Sequence, residues 1–249
     1  MPSTQALQET LDAAQVEPAV FELRPDYRAL LIAVDGLVPG GASDEASKAL
    51  LEQAEEGART ALSEQKAEHL PHIAAWREAY QAFGAKPNRT RNSLEALVRR
   101  ADAGLPRVNR LTDLYNAISV MHQIPLGGED LARYSGGAPR LVRATGQEPF
   151  DTIASGEPVV EYPDAGEVLW CDDDGVTCRR WNWRQGRRTQ LRDETTSALF
   201  ILDALAPMST ESLLAAGADL TKHLSTLGSE VVSVQRLISH RPAPHSTAR

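Results

Sequence analysis

The hydrophobic and polar positions of this chain follow a helical period in the first half and give way to short, glycine-punctuated apolar segments after residue 130. An unbroken apolar run from Tyr27 to Val38, closed by Pro39-Gly40-Gly41, predicts a buried strand. Helix-start residues and helical spacing predict four helices after it. They run from Ser43 to about Ala67, from Pro71 to Gly84, from Ser93 to about Ala103, and onward from about Arg110.

The second half is typical of strands joined by turns. Strands are predicted at Val159-Val160, Val168-Leu169-Trp170 and Val231 to Ile238, and a helix from Ser209 to about Leu227. For Leu199 to Leu202, periodicity leaves a buried strand and a helix open. Asp174-Gly175 predicts a hairpin turn that sets Cys171 opposite Cys178, a pair expected to stay reduced in a cytosolic chain.

These elements predict a single domain of the α/β (α+β) class, with a mixed β-sheet and helices packed around it. Its N-terminal half is helical and its C-terminal half is rich in strands. The domain is expected over residues 21–240. A polar, helix-prone and loosely attached extension is expected over residues 1–20, and a flexible tail over residues 241–249.

The composition is that of an ordinary globular protein, with 42% hydrophobic and 24% charged residues. No run of about 18 apolar residues exists, so no membrane span is expected. Met1-Pro2-Ser3-Thr4 lacks the basic and apolar regions of a signal peptide, and two cysteines do not form a disulfide framework. The expected location is the cytoplasm.

The net charge of −8 comes from the first part of the chain. Residues 1–70 hold 13 acidic and 5 basic side chains, so the remaining residues carry 21 of each. Two basic groups in that neutral part favour a local phosphate-bearing ligand, because arginine suits bidentate phosphate contacts. They are Lys86, Arg89, Arg91, Arg99, Arg100, Arg107 and Arg110, and Arg179, Arg180, Arg184, Arg187, Arg188 and Arg192. Solvated loops and helix faces are the alternative explanation.

Three short polar residues share one face of the helix predicted near Arg110. Asn109, Asp113 and Asn116 stand at i, i+4 and i+7. Asn and Asp are mediocre helix residues, so three of them on one stripe indicate a face that hydrogen-bonds a ligand. For Asp113, a cap on the helix backbone is the alternative. The opposite, apolar stripe consists of Leu111, Leu114, Ile118 and Met121.

Trp181-Asn182-Trp183-Arg184 is a second candidate for a site. In a strand, Trp181 and Trp183 point to one face, and Asn182 and Arg184 to the other. An aromatic pair flanked by arginines can stack a nucleobase, at roughly 1–3 kcal/mol per base. The alternative places both tryptophans in the core, and Asn182 and Arg184 are site candidates under either interpretation.

Several catalytic templates are absent from the sequence. It has no Gly-x-Ser-x-Gly elbow, no P-loop and no His-Glu-x-x-His motif. The pair His69-x-x-His72 is expected to be a chance spacing of two surface histidines. Gly127-Gly128-Glu129-Asp130 has a composition that is common in turns. The sequence therefore predicts no metal and no cofactor.

Three segments carry a resemblance to a known family. They are Val108 to Asn116 with Gln123-Ile124-Pro125-Leu126, Arg143-Ala144 with Gly146-Gln147-Glu148, and Glu194 to Phe200. These segments resemble the B3/B4 editing module of the bacterial phenylalanyl-tRNA synthetase beta subunit. The chain as a whole, which opens with Phe21-x-Leu-x-Pro-Asp-Tyr, resembles free-standing B3/B4 domain proteins over about residues 20–240.

The resemblance implies a single B3/B4-like domain that acts in trans on aminoacylated tRNA. The implied reaction is hydrolysis of the ester of a mischarged tRNA by a positioned water, because an activated ester needs little more than positioning and oxyanion stabilisation. The expected pocket residues are Asn109, Asp113, Asn116 and Asp203, with Trp181, Asn182 and Arg184 binding the substrate. Arg91 and Arg143 are expected to contact tRNA phosphate or the terminal adenosine.

Two positions depart from the family pattern. The family histidine falls on Gly127, and the family glutamate falls on Ile201, with Asp203 as the nearest acid. Specificity and catalysis are therefore expected to differ from tyrosine editing. Two alternative functions stay open: a non-catalytic module that binds tRNA or a related RNA, and a hydrolase or binder of small amino-acid derivatives.

Overall fold

Residues 4–240 are described by a computed structural model. The helices are α1 (Thr4–Ala13), α2 (Pro18–Leu23), α3 (Glu45–Glu64), α4 (Pro71–Ala82), α5 (Ser93–Val98), α6 (Arg110–Met121) and α7 (Thr210–Leu224). The strands are β1 (Gln15–Val16), β2 (Arg28–Asp35), β3 (Leu126–Asp130), β4 (Arg140–Arg143), β5 (Phe150–Ala154), β6 (Glu157–Glu161), β7 (Val168–Cys171), β8 (Val176–Arg179), β9 (Arg184–Gln185), β10 (Ser197–Ala204) and β11 (Val232–Ser239). Within this range, every helix is too short or too polar to traverse a bilayer. The predicted tail, residues 241–249, lies outside the described residues.

Two sheets organise these elements. The four-stranded sheet is antiparallel and has the order β11-β2-β10-β3. The five-stranded sheet has the order β1-β4-β7-β8-β9, in which β1 runs parallel to β4 and the other neighbours are antiparallel. β5 and β6 form a separate hairpin. The predicted α/β class, with a helical first half and a strand-rich second half, is therefore confirmed.

The four-stranded sheet is covered on both faces, which explains why β2 and β10 are unbroken apolar runs. On one face, Leu30 and Phe200 pack in a core with α6 and α7. On the other face, Leu31 and Ile201 share a core with α1, α4 and strands of the five-stranded sheet. The segment Leu199 to Leu202, which periodicity left open, is thus the middle of a central strand.

Local signals located most helix boundaries, with two corrections. The N-cap of α3 is Asp44 rather than Ser43, since the Asp44 carboxylate accepts a hydrogen bond from the Ser47 N–H at 2.8 Å. α5 ends at Val98 rather than near Ala103, because the chain continues in tight turns in which the N–H groups of Arg100, Ala101 and Ala103 bond carbonyls three residues back.

The predicted hairpin at Asp174-Gly175 is present between β7 and β8, but its register differs. Cys178 pairs with Trp170 and Cys171 with Val176, because the pairing shifts by one residue between Trp170 and Cys171. The two cysteines are therefore not opposite each other. Both are buried and free.

The N-terminal segment is packed rather than loosely attached. Leu7 and Leu11 of α1 are buried in the core beside β2 and β11. β1 then adds a parallel strand to the edge of the five-stranded sheet. Burial of these leucines holds the segment against the core. The mostly polar composition of the segment did not indicate this packing.

Candidate functional site

A cavity of about 230 Å³ lies at the β3 side of the fold, where β3 and β10 face β7 and the connection from β8 to β9. Apolar and aromatic side chains make up much of its wall, including Leu97, Tyr115, Leu126, Trp170 and Ile201. Small-molecule sites have this character, with a few polar groups that orient the ligand. The polar groups of this cavity are therefore the candidates for chemistry.

Strand register places two carboxyl groups on the floor of the cavity. Between β3 and β10, Glu129 pairs with Leu199 and Gly127 pairs with Ile201. Because side chains alternate between the faces of a strand, Glu129 and Gly127 share the cavity side with Ile201 and Asp203. Asp203 lies four residues along β10 from Leu199, roughly 14 Å away. The two acids therefore flank an apolar middle.

Asp203 is held at one end of this floor by hydrogen bonds. The Tyr27 hydroxyl donates to Oδ1 at 2.6 Å, and Asn182 Nδ2 donates to Oδ2 at 3.3 Å. The Tyr80 hydroxyl donates to Asn182 Oδ1 at 2.9 Å, which fixes the orientation of that amide. Burial raises the pKa of Asp203 to about 7, although both hydrogen bonds to the carboxyl favour its charged form. The carboxyl group therefore exchanges its proton near neutral pH.

Glu129 stands at the other end and is also buried. The Tyr134 hydroxyl donates a hydrogen bond to its Oε2. Burial raises the pKa of Glu129 to about 7, and the nearby charge of Asp172 adds to this shift while the Tyr134 hydrogen bond opposes it. Buried acids that titrate near neutrality inside a cavity are typical of functional sites.

The tryptophan segment reaches the cavity through a turn and not through the predicted strand. Arg180 and Trp181 have positive φ angles of 46° and 67°, which reverse the chain between β8 and β9. The ring of Trp181 is fully buried against Tyr27, at a centroid distance of 5.0 Å. The Ser93 N–H donates to the Asn182 carbonyl at 2.9 Å, so this turn is tied to the start of α5.

Several polar groups of the cavity wall are left for a ligand or water. The Ser93 hydroxyl oxygen and the indole nitrogens of Trp170 and Trp181 are buried and have no hydrogen-bond partner within residues 4–240. The Asn116 side-chain amide likewise has no partner in the described part of the chain. Buried polar groups are almost always paired, so these groups indicate where a ligand or water is bound.

The structure brings five of the nine predicted site residues together in this cavity. They are Asn116, Trp181, Asn182, Arg184 and Asp203. Asn116 comes from α6, the next three come from the turn before β9 and its first residue, and Asp203 comes from β10.

Asn109 and Asp113 are not in the cavity wall, and each has a structural role. Asn109 has extended backbone and is the N-cap of α6, where its side chain accepts a hydrogen bond from the Thr112 N–H at 2.8 Å. Asp113 accepts from the Val108 N–H at 2.8 Å and from the Ser43 hydroxyl. The alternative interpretation of Asp113, a cap on the helix backbone, therefore agrees with its contacts. Of the three residues predicted to share one ligand-binding face, only Asn116 lines the cavity.

Arg91 and Arg143 also lie outside the cavity wall. Arg91 is exposed two residues before Ser93, 3.8 Å from the Glu95 carboxylate. Arg143 borders a separate surface groove, where its Nε donates to the Gly166 carbonyl at 2.7 Å.

Sequence reasoning missed Glu129 and Gln185 as parts of the site. Glu129 was assigned to a turn, yet it stands in β3, and the pattern Gly127-x-Glu129 already has the spacing of one strand face. The Gln185 amide nitrogen donates to the Gly128 carbonyl at 2.7 Å and so closes one side of the cavity. No local signal distinguishes Gln185 from an ordinary surface glutamine.

Many arginines of the two basic groups are engaged by carboxylates of the protein itself. These ion pairs are Arg91–Glu95, Arg99–Glu95, Arg107–Glu55, Arg110–Asp44, Arg179–Glu167, Arg180–Glu167, Arg187–Asp151, Arg188–Asp172 and Arg192–Glu194. An arginine in such a pair has less charge to offer a phosphate group, because its carboxylate neutralises it locally. Lys86, Arg89 and Arg100 are exposed.

Within residues 4–240, no group of three or more His, Cys, Asp or Glu side chains is placed to hold a metal ion. The polar groups that line the cavity are carboxyl, amide, hydroxyl, guanidinium, indole and thiol groups.

Comparisons with known proteins gave a family match and matches to solved structures. The family model described as the B3/4 domain matches residues 75–216, more than half of the chain. Among solved structures, the chain is similar to an N-terminal fragment of the phenylalanyl-tRNA synthetase beta subunit from Pyrococcus horikoshii, with 12% identity and a TM-score of 0.43 over 90% of this chain. The chain spans 50% of the length of that fragment. A search of curated proteins gave no match.

Proposed function

Since the chain belongs to the B3/4 domain family, we propose that it hydrolyses the ester bond between an amino acid and the ribose of a tRNA. The observation that carries the proposal is the convergence of Asn116, Asn182 and Asp203 on one largely apolar cavity. An amino-acid side chain fits the apolar middle, and the polar groups at the wall are of the kinds that hold an ester and a water.

Asp203 supplies the proton acceptor in this proposal. A general base works best when its pKa lies near the operating pH, and burial raises the pKa of Asp203 to about 7. Its carboxylate takes one proton from the water while the water oxygen bonds to the acyl carbon. The bond from that carbon to the ribose oxygen then breaks, and the ribose oxygen takes up a proton. The products are the free amino acid and the uncharged tRNA.

The amides and the hydroxyl hold the reacting groups. The Asn116 amide and the Ser93 hydroxyl are donors without partners within residues 4–240, so they are available to the acyl oxygen as its negative charge develops. Asn182 is fixed by Tyr80 and orients Asp203. The carboxyl group of Glu129, at the far end of the floor, is placed to contact the outer end of the substrate's side chain.

In this proposal the tRNA approaches over the mouth of the cavity. The expected location of the protein is the cytoplasm. Arg91 belongs to this proposal as a phosphate contact, because it is exposed beside the start of α5, whose Ser93 lines the cavity. Its partner Glu95 also pairs with Arg77 and Arg99, so one carboxylate neutralises only part of the charge of these three arginines. Arg143 does not, because its guanidinium is engaged in a separate groove.

A deacylation screen tests the proposed function. The purified protein is incubated with correctly and wrongly charged tRNAs, and loss of the ester is measured beside Asp203→Asn and Asn116→Ala variants. Gly57→Ala is a matched control, because Gly57 is exposed in α3 and a methyl group there meets nothing within 4 Å. We expect ester loss from one or a few pairs, retained in the control and lost in both variants. Equal hydrolysis by the parent and the Asp203→Asn variant would contradict the mechanism.

The pairing of the arginines favours a second candidate, a binder or hydrolase of small amino-acid derivatives. Nine arginines of the two basic groups lie within 4.0 Å of carboxylates of the protein, which leaves few for tRNA phosphates. Binding of amino-acid amides in the absence of any tRNA affinity would support this candidate over the first.

A further inference from the structure

We infer that Gly127 determines which ligands the cavity accepts: its missing side chain makes room for a large apolar or aromatic side chain of an aminoacyl group. This inference rests on the proposed function for the identity of the ligand as an aminoacyl group. Gly127 stands opposite Ile201 in the middle of the floor, between the two carboxyl groups. A side chain at this position would fill the part of the cavity where the bulk of a ligand lies.

The backbone does not explain this glycine. Gly127 does not have a positive φ angle, so residues with side chains are compatible with its conformation. Its neighbour provides a contrast, since a Cβ atom at Gly128 would stand 2.7 Å from Leu191 and 2.8 Å from Phe200 in the core. Packing requires a glycine at 128, whereas at 127 the added atom meets a wall of the cavity.

That wall is the Gln185 side chain. A Cβ atom at position 127 would lie 3.1 Å from Gln185 Nε2, which is closer than most such contacts. The same nitrogen donates to the Gly128 carbonyl at 2.7 Å, so the amide is held by a bond between β9 and β3. An alanine at 127 would therefore occupy the cavity itself and press on a side chain that is not free to withdraw.

The residues around the space beside Gly127 determine which ligand side chains bind there favourably. Leu97, Tyr115 and Ile201 are apolar or aromatic, and both carboxyl groups stand away from the middle of the floor. A bulky hydrocarbon or aromatic side chain gains from contact with them, and a methyl side chain would leave the space unfilled. The preferred ligands are therefore aminoacyl groups with large side chains.

Binding of amino-acid amides tests the inference without any reaction. The amides of phenylalanine, leucine and alanine keep the α-ammonium group, and calorimetric titration compares the parent, Gly127→Ala, Gln185→Ala and the double variant. We expect Gly127→Ala to weaken the two large amides by about tenfold or more and to change the alanine amide by less than about twofold. The double variant with Gln185→Ala should keep most of the loss, because the backbone fixes the new methyl group in the cavity whether or not the Gln185 amide is present. Full restoration would show that displacement of Gln185, and not occupation of the cavity, caused the loss. Gly57→Ala serves as the control.

Three further results would overturn the inference: equal losses for all three amides, no loss for the large ones, or no binding of the large amides to the parent. Thermal unfolding of each variant confirms that it is folded before titration. The two proposals fail separately. Size-dependent binding without ester hydrolysis would end the deacylase proposal only, and hydrolysis with an unchanged size preference in Gly127→Ala would end the inference only.

Discussion

The carboxyl group of Asp203 is surrounded by aromatic rings and hydrogen-bond donors rather than by cations. Tyr27 and Asn182 donate to its two oxygens, and no arginine or lysine within residues 4–240 forms an ion pair with it. Burial without a counter-charge disfavours the ionised form more than two hydrogen bonds favour it, so the pKa rises to about 7. The ionised carboxylate that accepts a proton in the proposed reaction thus also costs the folded state some stability at high pH.

We expect the free energy of unfolding of the Asp203→Asn variant, relative to that of the parent, to increase as the pH rises. The ordinary pKa of an aspartate is 3.8, and that of Asp203 is about 7 in the folded protein. Between these values the folded state keeps a proton that the unfolded state has released, so this contribution to stability is complete below about pH 4 and is lost as the pH rises through about 7. Urea unfolding at about pH 5 and about pH 8 measures the difference. A difference between variant and parent that does not change with pH would contradict the assignment.

The contribution of His72 to stability has the opposite pH dependence. The position of His72 also corrects the expectation that it is a surface residue. It is not a surface residue: its Nδ1–H donates to the Gln123 carbonyl at 2.8 Å, and its Nε2 accepts the Leu205 N–H at 3.0 Å. Burial lowers the pKa of His72 to about 4. Its contribution to stability is therefore complete above about pH 6.5 and is lost as the pH falls toward about 4, because the unfolded histidine takes up a proton first.

The corresponding variant is His72→Ala, with His69→Ala as its control. Loss of the imidazole leaves a buried N–H and a buried carbonyl without their partner and opens a cavity, so we expect a loss of about 3 kcal/mol in the free energy of unfolding near neutral pH. His69 is exposed, and its variant should stay within about 0.5 kcal/mol of the parent. Chemical denaturation measures both. Equal stability of the two variants would show that the two hydrogen bonds of His72 contribute little.

At the scale of elements, helix α6 separates structural from functional asparagines. Asn109 caps the helix, whereas Asn116, two turns along, reaches the cavity. We expect Asn109→Ala to cost about 1 kcal/mol of stability and to leave amide binding unchanged, because only a helix cap is lost. Asn116→Ala should weaken binding and change stability by less than about 1 kcal/mol. Denaturation and calorimetric titration of both variants test this division, and a binding defect in Asn109→Ala with intact stability would reverse it.

The same helix shows why sequence patterns located elements better than sites. The i, i+4 and i+7 spacing describes one helix face only if all three residues are helical, and Asn109 has extended backbone at the N-cap. The apolar stripe of α6 was correctly placed because Leu114 and Ile118 lie well inside the helix and pack in the core. A shift of one residue at the boundary thus changed the role of a polar residue without affecting the fold.

Elements marked by residues at their own ends were predicted well. Features that depend on how distant strands pair were not. Pro71 at the start of α4 and Ser209 as the cap of α7 are local signals. The turn at Arg180 and Trp181 carries no such signal, because positive φ angles are unusual for these residue types. Glu129 enters the site only because β3 pairs with β10 in one register. The cavity therefore depends on contacts between distant segments, which periodicity does not contain.

Over the whole molecule, the charge balance bears on how tRNA would be bound. The net charge is −8, and ion pairs hold many arginines of both basic groups. Arg179 is the clearest case, since its guanidinium is buried and donates to both oxygens of Glu167, at 2.8 and 2.9 Å. Arginines such as this one stabilise the protein and do not form a track for a nucleic-acid backbone.

Binding of aminoacyl-tRNA should therefore depend only weakly on salt. Each phosphate that a protein neutralises releases counterions and adds to the slope of log K against log salt concentration, and with few free arginines we expect a slope no steeper than about −3. The affinity would come mainly from the aminoacyl group in the cavity, so uncharged tRNA should bind much more weakly than charged tRNA. Titrations of both forms with the Asp203→Asn variant, from about 50 to about 300 mM salt, measure the slope without hydrolysis. A slope near −6 with equal affinity for both forms would instead identify a backbone-binding surface as the main source of affinity.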